Sequence, residues 1–240
     1  MAKIGGDGFK LDRNTQVKAM GKEGYDLEEK TNSDDSDARK SIISPRCRVI
    51  KAVHKEYGEL LGSCIWGFRG FDPEEVPPRP GNITKEQLID SEDLAKDLPD
   101  VEWLDERTET KEKESDDPTK RLDDLSGDDL ARWMRKVMPS GTKCMFVVGI
   151  SVAQDWQGKG IGSALLRWGT DHADKNGVFC WVHSSESAWP AYAKSGFDVV
   201  ETLDVDLDEY AIGPPPQKEL EGAPGKWGHY IFRYMKRLPR

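Results

Sequence analysis

The chain has 240 residues, of which 36% are hydrophobic and 33% are charged, and its formal net charge is −9. No apolar run approaches the roughly 18 residues of a membrane-spanning helix, and the N-terminus lacks the basic and apolar pattern of a secretory signal. These features exclude an integral membrane protein. We therefore expect a protein of the cytoplasm, or of the nucleus, that has no membrane partner.

The negative charge is concentrated in one stretch. Residues 71–125 contain 19 acidic and 8 basic residues, whereas the rest of the chain contains 25 acidic and 27 basic residues. A charged, proline-bearing run of this kind can bury little apolar surface. We predict that 71–125 is a solvated, mobile insertion, and an interaction segment is the alternative. The sequence contains no basic or aromatic-rich patch of the kind that binds nucleic acid, so we expect no nucleic-acid partner.

The cysteines show no pattern of a metal or redox site. Cys47, Cys64, Cys144 and Cys180 do not share the short spacings of zinc knuckles or redox pairs. The last three lie in apolar runs, where a small buried hydrophobic residue is the simplest interpretation. The histidines have no metal-like spacing either. The sequence therefore predicts a reduced protein without a metal site.

The first part of the chain contains one clear structural signal. Residues 1–46 are polar, weakly patterned and offer little to bury, so we place the folded domain at 47–240. A strand-like run from Val49, a turn at 55–58 and a returning run at 60–68 predict a β-hairpin.

Beyond the acidic stretch, helices and strands alternate. Ser126 has the character of an N-cap and predicts the start of an amphipathic helix. The run 144–153 is apolar throughout, which is typical of a strand covered on both faces, and Gly149 within it predicts a bulge or a close approach of another backbone. Apolar residues at helical spacing follow from Ile161, and Gly177 ends that helix.

The last part of the chain predicts two more strands around a short helix. A short buried strand is expected at 178–183, followed by a helix that Ser187 caps and Gly196 closes. Phe197 begins the next strand, and alternate aromatic residues from Tyr230 share one face of the last strand. This order predicts an α/β fold, with a mixed, mostly antiparallel, twisted sheet and flanking helices.

The most informative segment is the glycine-rich loop QGKGIGSALL at 157–166. Glycines at alternate positions let backbone N–H groups turn toward an anion, and the helix that starts there adds the positive end of its dipole. A phosphate or pyrophosphate ligand is expected. Lys159 is followed by Gly160, which does not fit a Walker loop, and Gly162 falls one position early for a dinucleotide fingerprint. A glycine-rich helix start without a ligand is the alternative.

Two motifs resemble those of one family. The pattern Q-x-x-G-x-G at 157–162, after a strand that ends Ile-Ser-Val at 150–152, resembles the acetyl-coenzyme A motif of the GNAT acetyltransferase superfamily. The pattern Y-x-x-x-G-F at 192–197 resembles the link between the family's last helix and its sixth strand. Ser185, where many members have Asn, is more similar to a fungal-type branch. The weakly patterned segment 1–46 departs from the family, whose members begin with a strand and two helices.

The resemblance implies an acyl-CoA N-acyltransferase fold in which the strands 144–153 and 178–183 splay apart around acetyl-CoA. It implies an N-acetyltransferase that moves acetyl from acetyl-CoA, as co-substrate, to a primary amine of a small molecule. The amine would attack directly in a ternary complex. A protein lysine or N-terminal acetyltransferase is one alternative, and a non-catalytic coenzyme A-binding module is another.

The resemblance also implies roles for individual residues. Those that would bind the coenzyme are Ile150, Ser151, Val152, Gln157, Gly158, Lys159, Gly160, Ile161, Gly162, Ser163 and Ser185. Tyr192 matches the family's usual acid, which protonates the coenzyme sulfur, and a tyrosine that only packs on the coenzyme is the alternative. His183 is the candidate base because it ends a strand that borders the cleft. A histidine outside the chemistry, with the proton leaving through water, remains open.

Overall fold

The computed structural model describes residues 12–20, 44–78, 115–216 and 225–240. The strands form one six-stranded sheet in the order β1-β2-β3-β4-β6-β5. The strands are β1 (Cys47–Val53), β2 (Leu60–Arg69), β3 (Cys144–Val152), β4 (Cys180–Ser184), β5 (Asp198–Asp206) and β6 (His229–Arg237). The helices are α1 (Arg13–Ala19), α2 (Pro118–Val137), α3 (Ile161–Lys175) and α4 (Trp189–Lys194). Only β3 and β4 pair in parallel among these strands, so the predicted mixed, mostly antiparallel sheet is confirmed.

Helices cover both faces of the sheet. On one face, α3 and α4 pack on β2, β3 and β4 around the buried side chains of Trp66, Leu166 and Tyr192. On the other face, Trp133 of α2 stacks on Tyr234 of β6, with ring centroids 4.8 Å apart. This arrangement leaves the ends of β3 and β4 between two helical layers.

Several local predictions are confirmed. The hairpin of β1 and β2 forms with the turn at 54–59, and Tyr230, Phe232 and Tyr234 are buried on one face of β6. Gly177 and Gly196 end α3 and α4 with positive φ values of 62° and 85°, a conformation that glycine adopts without steric cost.

The cysteines are free thiols, and three of them are buried as predicted. Burial raises the pKa of the Cys64 thiol well above its usual range, and it raises those of Cys144 and Cys180 to about 12. These thiols are therefore neutral, inert core groups. None of the helices in the described ranges is long and apolar enough to cross a membrane.

The predicted start of α2 at Ser126 is wrong. The helix begins at Pro118, because the Asp117 carboxylate accepts hydrogen bonds from the N–H groups of Thr119 (2.8 Å) and Lys120 (3.4 Å). The Ser126 hydroxyl donates to the Leu122 carbonyl at 2.8 Å, as an interior helix residue does. The acidic composition of this stretch concealed a helix with a buried apolar face.

The two ends of the predicted insertion 71–125 therefore lie on the folded body. Val76 is buried in the core, and Arg48 Nε donates to the Pro77 carbonyl at 2.5 Å. At the other end, Leu122 of α2 is buried. Residues 79–114, which make up most of the predicted insertion, lie outside the described residues.

The expectation that 1–46 offers little to bury is wrong for residues 12–20. Val17 of α1 has no exposed surface, and Asp12 caps the helix by accepting from the Thr15 N–H at 2.9 Å. The Asp12 carboxylate also accepts from the Tyr230 hydroxyl at 2.6 Å. Long-range polar contacts, which local patterning does not reveal, thus hold this short helix on β6. The rest of 1–43 lies outside the described residues.

Two smaller predictions also need correction. Ser187 does not cap α4, which begins after Ala188 without a side-chain cap. The predicted cover on both faces of β3 holds for Cys144 and Met145, which are buried in different core clusters, but Val148 is 50% exposed. The second half of β3 therefore borders open space.

Candidate active site

A cleft opens between β3 and β4. Their parallel ladder consists of two pairs, Met145 with Cys180 and Phe146 with Trp181. Beyond this point β3 stays paired with β2, whereas β4 stays paired with β6 as far as Ser184. The two strands therefore splay apart, as the family resemblance implies.

A bulge in β3 lies at the mouth of this cleft. In the ladder with β2, Trp66 pairs with Val147 and Ile65 pairs with Gly149, so Val148 has no partner. Two residues on the bulged strand thus oppose one on its neighbour. The bulge predicted from Gly149 is confirmed.

The bulge reverses the direction of the backbone groups that follow it. Before it, the Met145 N–H donates to the Phe179 carbonyl at 3.1 Å, on the β4 side. After it, the Ala153 N–H donates to the Leu61 carbonyl at 2.8 Å, on the β2 side. These two residues are an even number of positions apart and would point the same way in a regular strand. The extra residue, Val148, accounts for the reversal.

The backbone of Ile150 and Val152 consequently faces the cleft. N–H directions alternate along an antiparallel strand, so Ser151 points toward β2 with Ala153, and its two neighbours point toward β4. The Val152 carbonyl accepts from the Gln157 side-chain Nε2 at 3.1 Å, which agrees with this direction. Gln157 therefore ties the glycine-rich loop to the end of β3.

The glycine-rich loop presents free backbone donors at the same end of the cleft. Gly158 and Gly160 have φ values of 72° and 84°, and a Cβ on either would meet nothing within 4 Å. The first helical bond runs from the Ala164 N–H to the Gly160 carbonyl at 3.0 Å. In the described part of the chain, the N–H groups of 158–163 have no hydrogen-bond acceptor. This is an open anion nest at a helix N-terminus.

Tyr192 lies on the α3 face of the sheet, in the core cluster against which Ile150 and Val152 also pack. Tyr192 is only 3% exposed, and its ring packs edge-to-face on the Phe197 ring, with the two centroids 5.7 Å apart. Burial raises the pKa of the phenol well above its ordinary value, with a smaller contribution from Cys64. The hydroxyl therefore stays protonated, and it has no hydrogen-bond partner among the described residues. It is a proton donor without a competing acceptor.

His183 lies on the opposite face of the sheet. Side chains alternate along β4, and the His183 ring stacks on Tyr234, with centroids 4.8 Å apart and an interplanar angle of 17°. Burial lowers the pKa of the imidazole to about 4, the Asp129 carboxylate opposes this shift, and Lys18 adds to it. Its Nε2 is buried without a hydrogen-bond partner within the described ranges. The ring is therefore a neutral proton acceptor at pH 7.

The two predicted catalytic residues thus do not share one side of the sheet. Val182, the neighbour of His183 in β4, packs in the same cluster as Tyr192. The sheet therefore lies between the phenol and the imidazole.

The remaining predicted site residues lie at the rim. The Ser185 hydroxyl is 3.3 Å from that of Ser187, just past the end of β4. The Lys159 ammonium lies 4.6 Å from the centroid of the Trp156 ring. The sequence analysis did not include Trp156 among the site residues, although its position directly before the glycine-rich loop could have indicated it. No cluster of possible metal ligands occurs in the part of the chain that the structure describes.

Comparisons with known proteins agree with this architecture. Residues 90–197, which include β3, the glycine-rich loop, β4 and α4, match the acetyltransferase (GNAT) family. Among curated proteins, none matches the chain in sequence.

Several solved structures are similar to the whole chain. The mosquito arylalkylamine N-acetyltransferase-like 5b is 16% identical, with 99% of this chain and 94% of that chain covered and a TM-score of 0.49. The Drosophila melanogaster polyamine N-acetyltransferase is 12% identical, with 99% and 94% covered and a TM-score of 0.45. A GCN5-related N-acetyltransferase from Kribbella flavida is 17% identical, with 94% and 86% covered and a TM-score of 0.43.

The comparisons do not confirm the fungal-type branch. The six-stranded mixed sheet with flanking helices is the α/β architecture that the sequence predicts. The family match covers 90–197, so it shows a similarity of this part of the chain to the acetyltransferase (GNAT) family.

Proposed function

We propose that the protein is an N-acetyltransferase that moves acetyl from acetyl-CoA to the primary amine of a small molecule. The observation that carries this proposal is the combination of the bulged strand and the loop. Ile150 and Val152 offer backbone groups to the pantetheine amides, and the N–H groups of 158–163 offer a site for the pyrophosphate. The two features lie in chain order along one cleft, and the open space at Gly158 and Gly160 fits a close approach of phosphate to backbone.

The chemistry would be direct attack in a ternary complex. The amine nitrogen forms a bond to the thioester carbonyl carbon, the oxygen takes the negative charge, and the C–S bond then breaks. The Ile150 N–H, which points into the cleft, would stabilise the oxyanion. Tyr192 would give its proton to the departing thiolate, and His183 would accept the proton that the amine nitrogen loses once it has bonded to the carbonyl carbon.

The placement of the two side chains on opposite faces supports these roles. In the tetrahedral intermediate, the nitrogen that enters and the sulfur that leaves are separate substituents of one carbon. Tyr192 on the α3 face and His183 on the α2 face could serve these two atoms without exchanging a proton directly. Burial keeps the phenol protonated and the imidazole neutral at pH 7, because it raises the pKa of Tyr192 and lowers that of His183.

The enclosure around His183 supports a small acceptor. Lys18 of α1 contacts α2 through Ser126 at 2.5 Å and Asp123 at 2.9 Å. Arg13 at the start of the same helix donates to the Trp227 carbonyl at 2.5 Å, beside β6. α1 thus bridges two elements next to the histidine, and a small amine fits this confined approach better than a protein chain does.

The proposal is tested by measuring free-thiol release from acetyl-CoA with a panel of amines. The panel contains arylalkylamines, polyamines, amino acids and lysine-containing peptides. We expect amine-dependent thiol release with at least one small amine and formation of the matching N-acetyl product by mass spectrometry. Release with peptides alone would replace the small-molecule assignment by protein acetylation. Coenzyme binding without turnover across the panel would overturn catalysis in favour of a binding module.

A further inference from the structure

Three aromatic rings form a ladder from the β1–β2 turn to the glycine-rich loop. Tyr57 stacks on His54, with centroids 4.7 Å apart and an interplanar angle of 18°. His54 meets Trp156 edge-on, with centroids 5.5 Å apart. Lys159 places its ammonium over the Trp156 ring, 4.6 Å from the centroid. We call Tyr57, His54 and Trp156 the aromatic ladder.

Core packing does not account for this ladder. None of its members belongs to the hydrophobic clusters that the described residues form. Tyr57 is 77% exposed, and the other two rings are half-buried. Aromatic rings that are stacked on each other and left in solvent offer a flat surface to a planar ligand.

The ladder lies beside the anion nest. Trp156 precedes Gly158 by two residues, so their Cα atoms are within about 8 Å of each other. The β1–β2 turn is held at the same place, since Gly62 pairs with Val152 at the end of β3. The ladder is therefore adjacent to the position proposed for the pyrophosphate.

Lys159 shows which face of Trp156 a ligand can reach. His54 contacts the indole edge-on, whereas the exposed Lys159 side chain lies over the ring from the loop that carries the nest. A ligand bound in the nest could replace the ammonium on this face by a π-system. The ammonium would then be free to pair with a neighbouring phosphate.

We propose that Trp156 and Lys159 form a subsite for the adenosine 3′-phosphate end of coenzyme A. The adenine ring stacks on the Trp156 face that Lys159 covers in the free protein, and Lys159 moves to the 3′-phosphate. His54 holds the indole through its edge-on contact, and Tyr57 stacks on His54. This inference rests on the proposed function, because it assumes that the pyrophosphate occupies the nest.

The test is calorimetric titration with three probes: coenzyme A, 3′-dephospho-coenzyme A and 4′-phosphopantetheine. We expect Trp156→Ala to weaken coenzyme A binding about 10-fold or more and to leave 4′-phosphopantetheine binding unchanged. We expect Lys159→Ala to weaken coenzyme A binding about 5-fold without affecting the dephospho form. Lys51→Ala, which removes an exposed lysine of β1, is the matched charge control and should change neither affinity.

The outcomes separate this inference from the proposed function. Equal weakening of coenzyme A and 4′-phosphopantetheine by Trp156→Ala would mean that the indole only shapes the loop, and the subsite would be wrong while the nest stands. If the parent protein bound none of the three probes, the coenzyme site itself would be wrong. Lys159→Ala removes only an exposed side chain, so it decides the question even if Trp156→Ala fails to fold. Equal losses for coenzyme A and its dephospho form in that variant would reject the phosphate contact.

Discussion

Gly169 of α3 lies directly against the indole ring of Trp66 in β2. A methyl group on Gly169 would lie 2.0 Å from Trp66 Cε2. The indole has no exposed surface, and its Nε1 donates to the Leu165 carbonyl one turn earlier in α3, at 3.4 Å. This contact sets the distance of α3 from the sheet, and therefore the position of the glycine-rich loop from which α3 starts.

Gly169→Ala should destabilise the protein. The added methyl cannot fit without moving a buried tryptophan, and overpacking of this kind costs about 1–3 kcal/mol. Gly127→Ala is the matched control, because Gly127 is an exposed residue within α2 where a Cβ would meet nothing within 4 Å. That variant should gain about 0.5–1 kcal/mol from helix propensity. Urea unfolding measures both changes, and equal stability of the two variants would contradict the close packing at Trp66.

Gly160→Asp should abolish the rise in Tm that coenzyme A produces by binding the folded state. The substitution places a carboxylate at the anion nest, on a backbone with a φ of 84°. Gly177→Asp makes the same change at the other end of α3, where φ is 62° and the space is also open. It should lower the Tm of the free protein and leave the coenzyme-induced rise intact. A full rise in folded Gly160→Asp would rule out the nest as the coenzyme site.

Tyr192→Phe should separate acid catalysis from packing. The variant keeps the ring that packs on Phe197 and removes only the hydroxyl. Turnover should fall about 10²- to 10⁴-fold, the usual contribution of one positioned acid, while the coenzyme affinity stays the same. Steady-state rates beside direct titration measure the two quantities. Unchanged turnover would remove Tyr192 from the mechanism, and weaker binding would assign the phenol to anchoring.

His183 should make stability depend on pH in a defined direction. Its pKa is about 4 in the folded protein and about 6.5 when unfolded. Between these values the unfolded state binds more protons, so the free energy of unfolding rises with pH, by up to about 3 kcal/mol, and this contribution is complete above about pH 6.5. His183→Leu should remove that part of the slope, as measured by urea unfolding at several pH values.

His229 provides a control, because its contribution to stability should change with pH in the opposite direction to that of His183. The Asp204 carboxylate, 2.8 Å away, raises the pKa of this exposed imidazole. Its contribution is present below the unfolded pKa and is lost as the pH rises through the folded pKa. His229→Gln should therefore steepen the rise of stability with pH. For His183, the contradicting outcome is a dependence of unfolding free energy on pH that His183→Leu leaves unchanged. It would show that the His183 imidazole is not buried as described.

The sequence predicted best where short-range pattern determines structure. The bulge near Gly149 and the turns at Gly177 and Gly196 follow from residue type, because a positive φ or an extra strand residue selects glycine. The glycine-rich loop was predicted for the same reason. Its role in binding remains a proposal that the experiments above test.

The errors have a common cause in long-range contacts. α1 contains one fully buried apolar residue, Val17, and is held by contacts of Asp12 with Tyr230 and of Arg13 with Trp227, which are more than 200 positions away. The start of α2 was misplaced because charge dominates the composition around Leu122. The opposite placement of Tyr192 and His183 depends on how helices cover the sheet, and no local pattern determines that.

The bulge at Val148 determines which backbone groups of β3 face β2 and which face the cleft, and a change in chain length can exchange the two sets. Deletion or insertion of one residue between Val147 and Ile150 would exchange the groups that face β2 for those that face the cleft. The sheet could still pair, but the strand would present Ser151 where Ile150 and Val152 now stand. A change of two residues would restore the frame. At this strand, odd and even changes in length therefore have different consequences: the first kind removes the backbone groups that we propose as partners of the coenzyme, and the second preserves them.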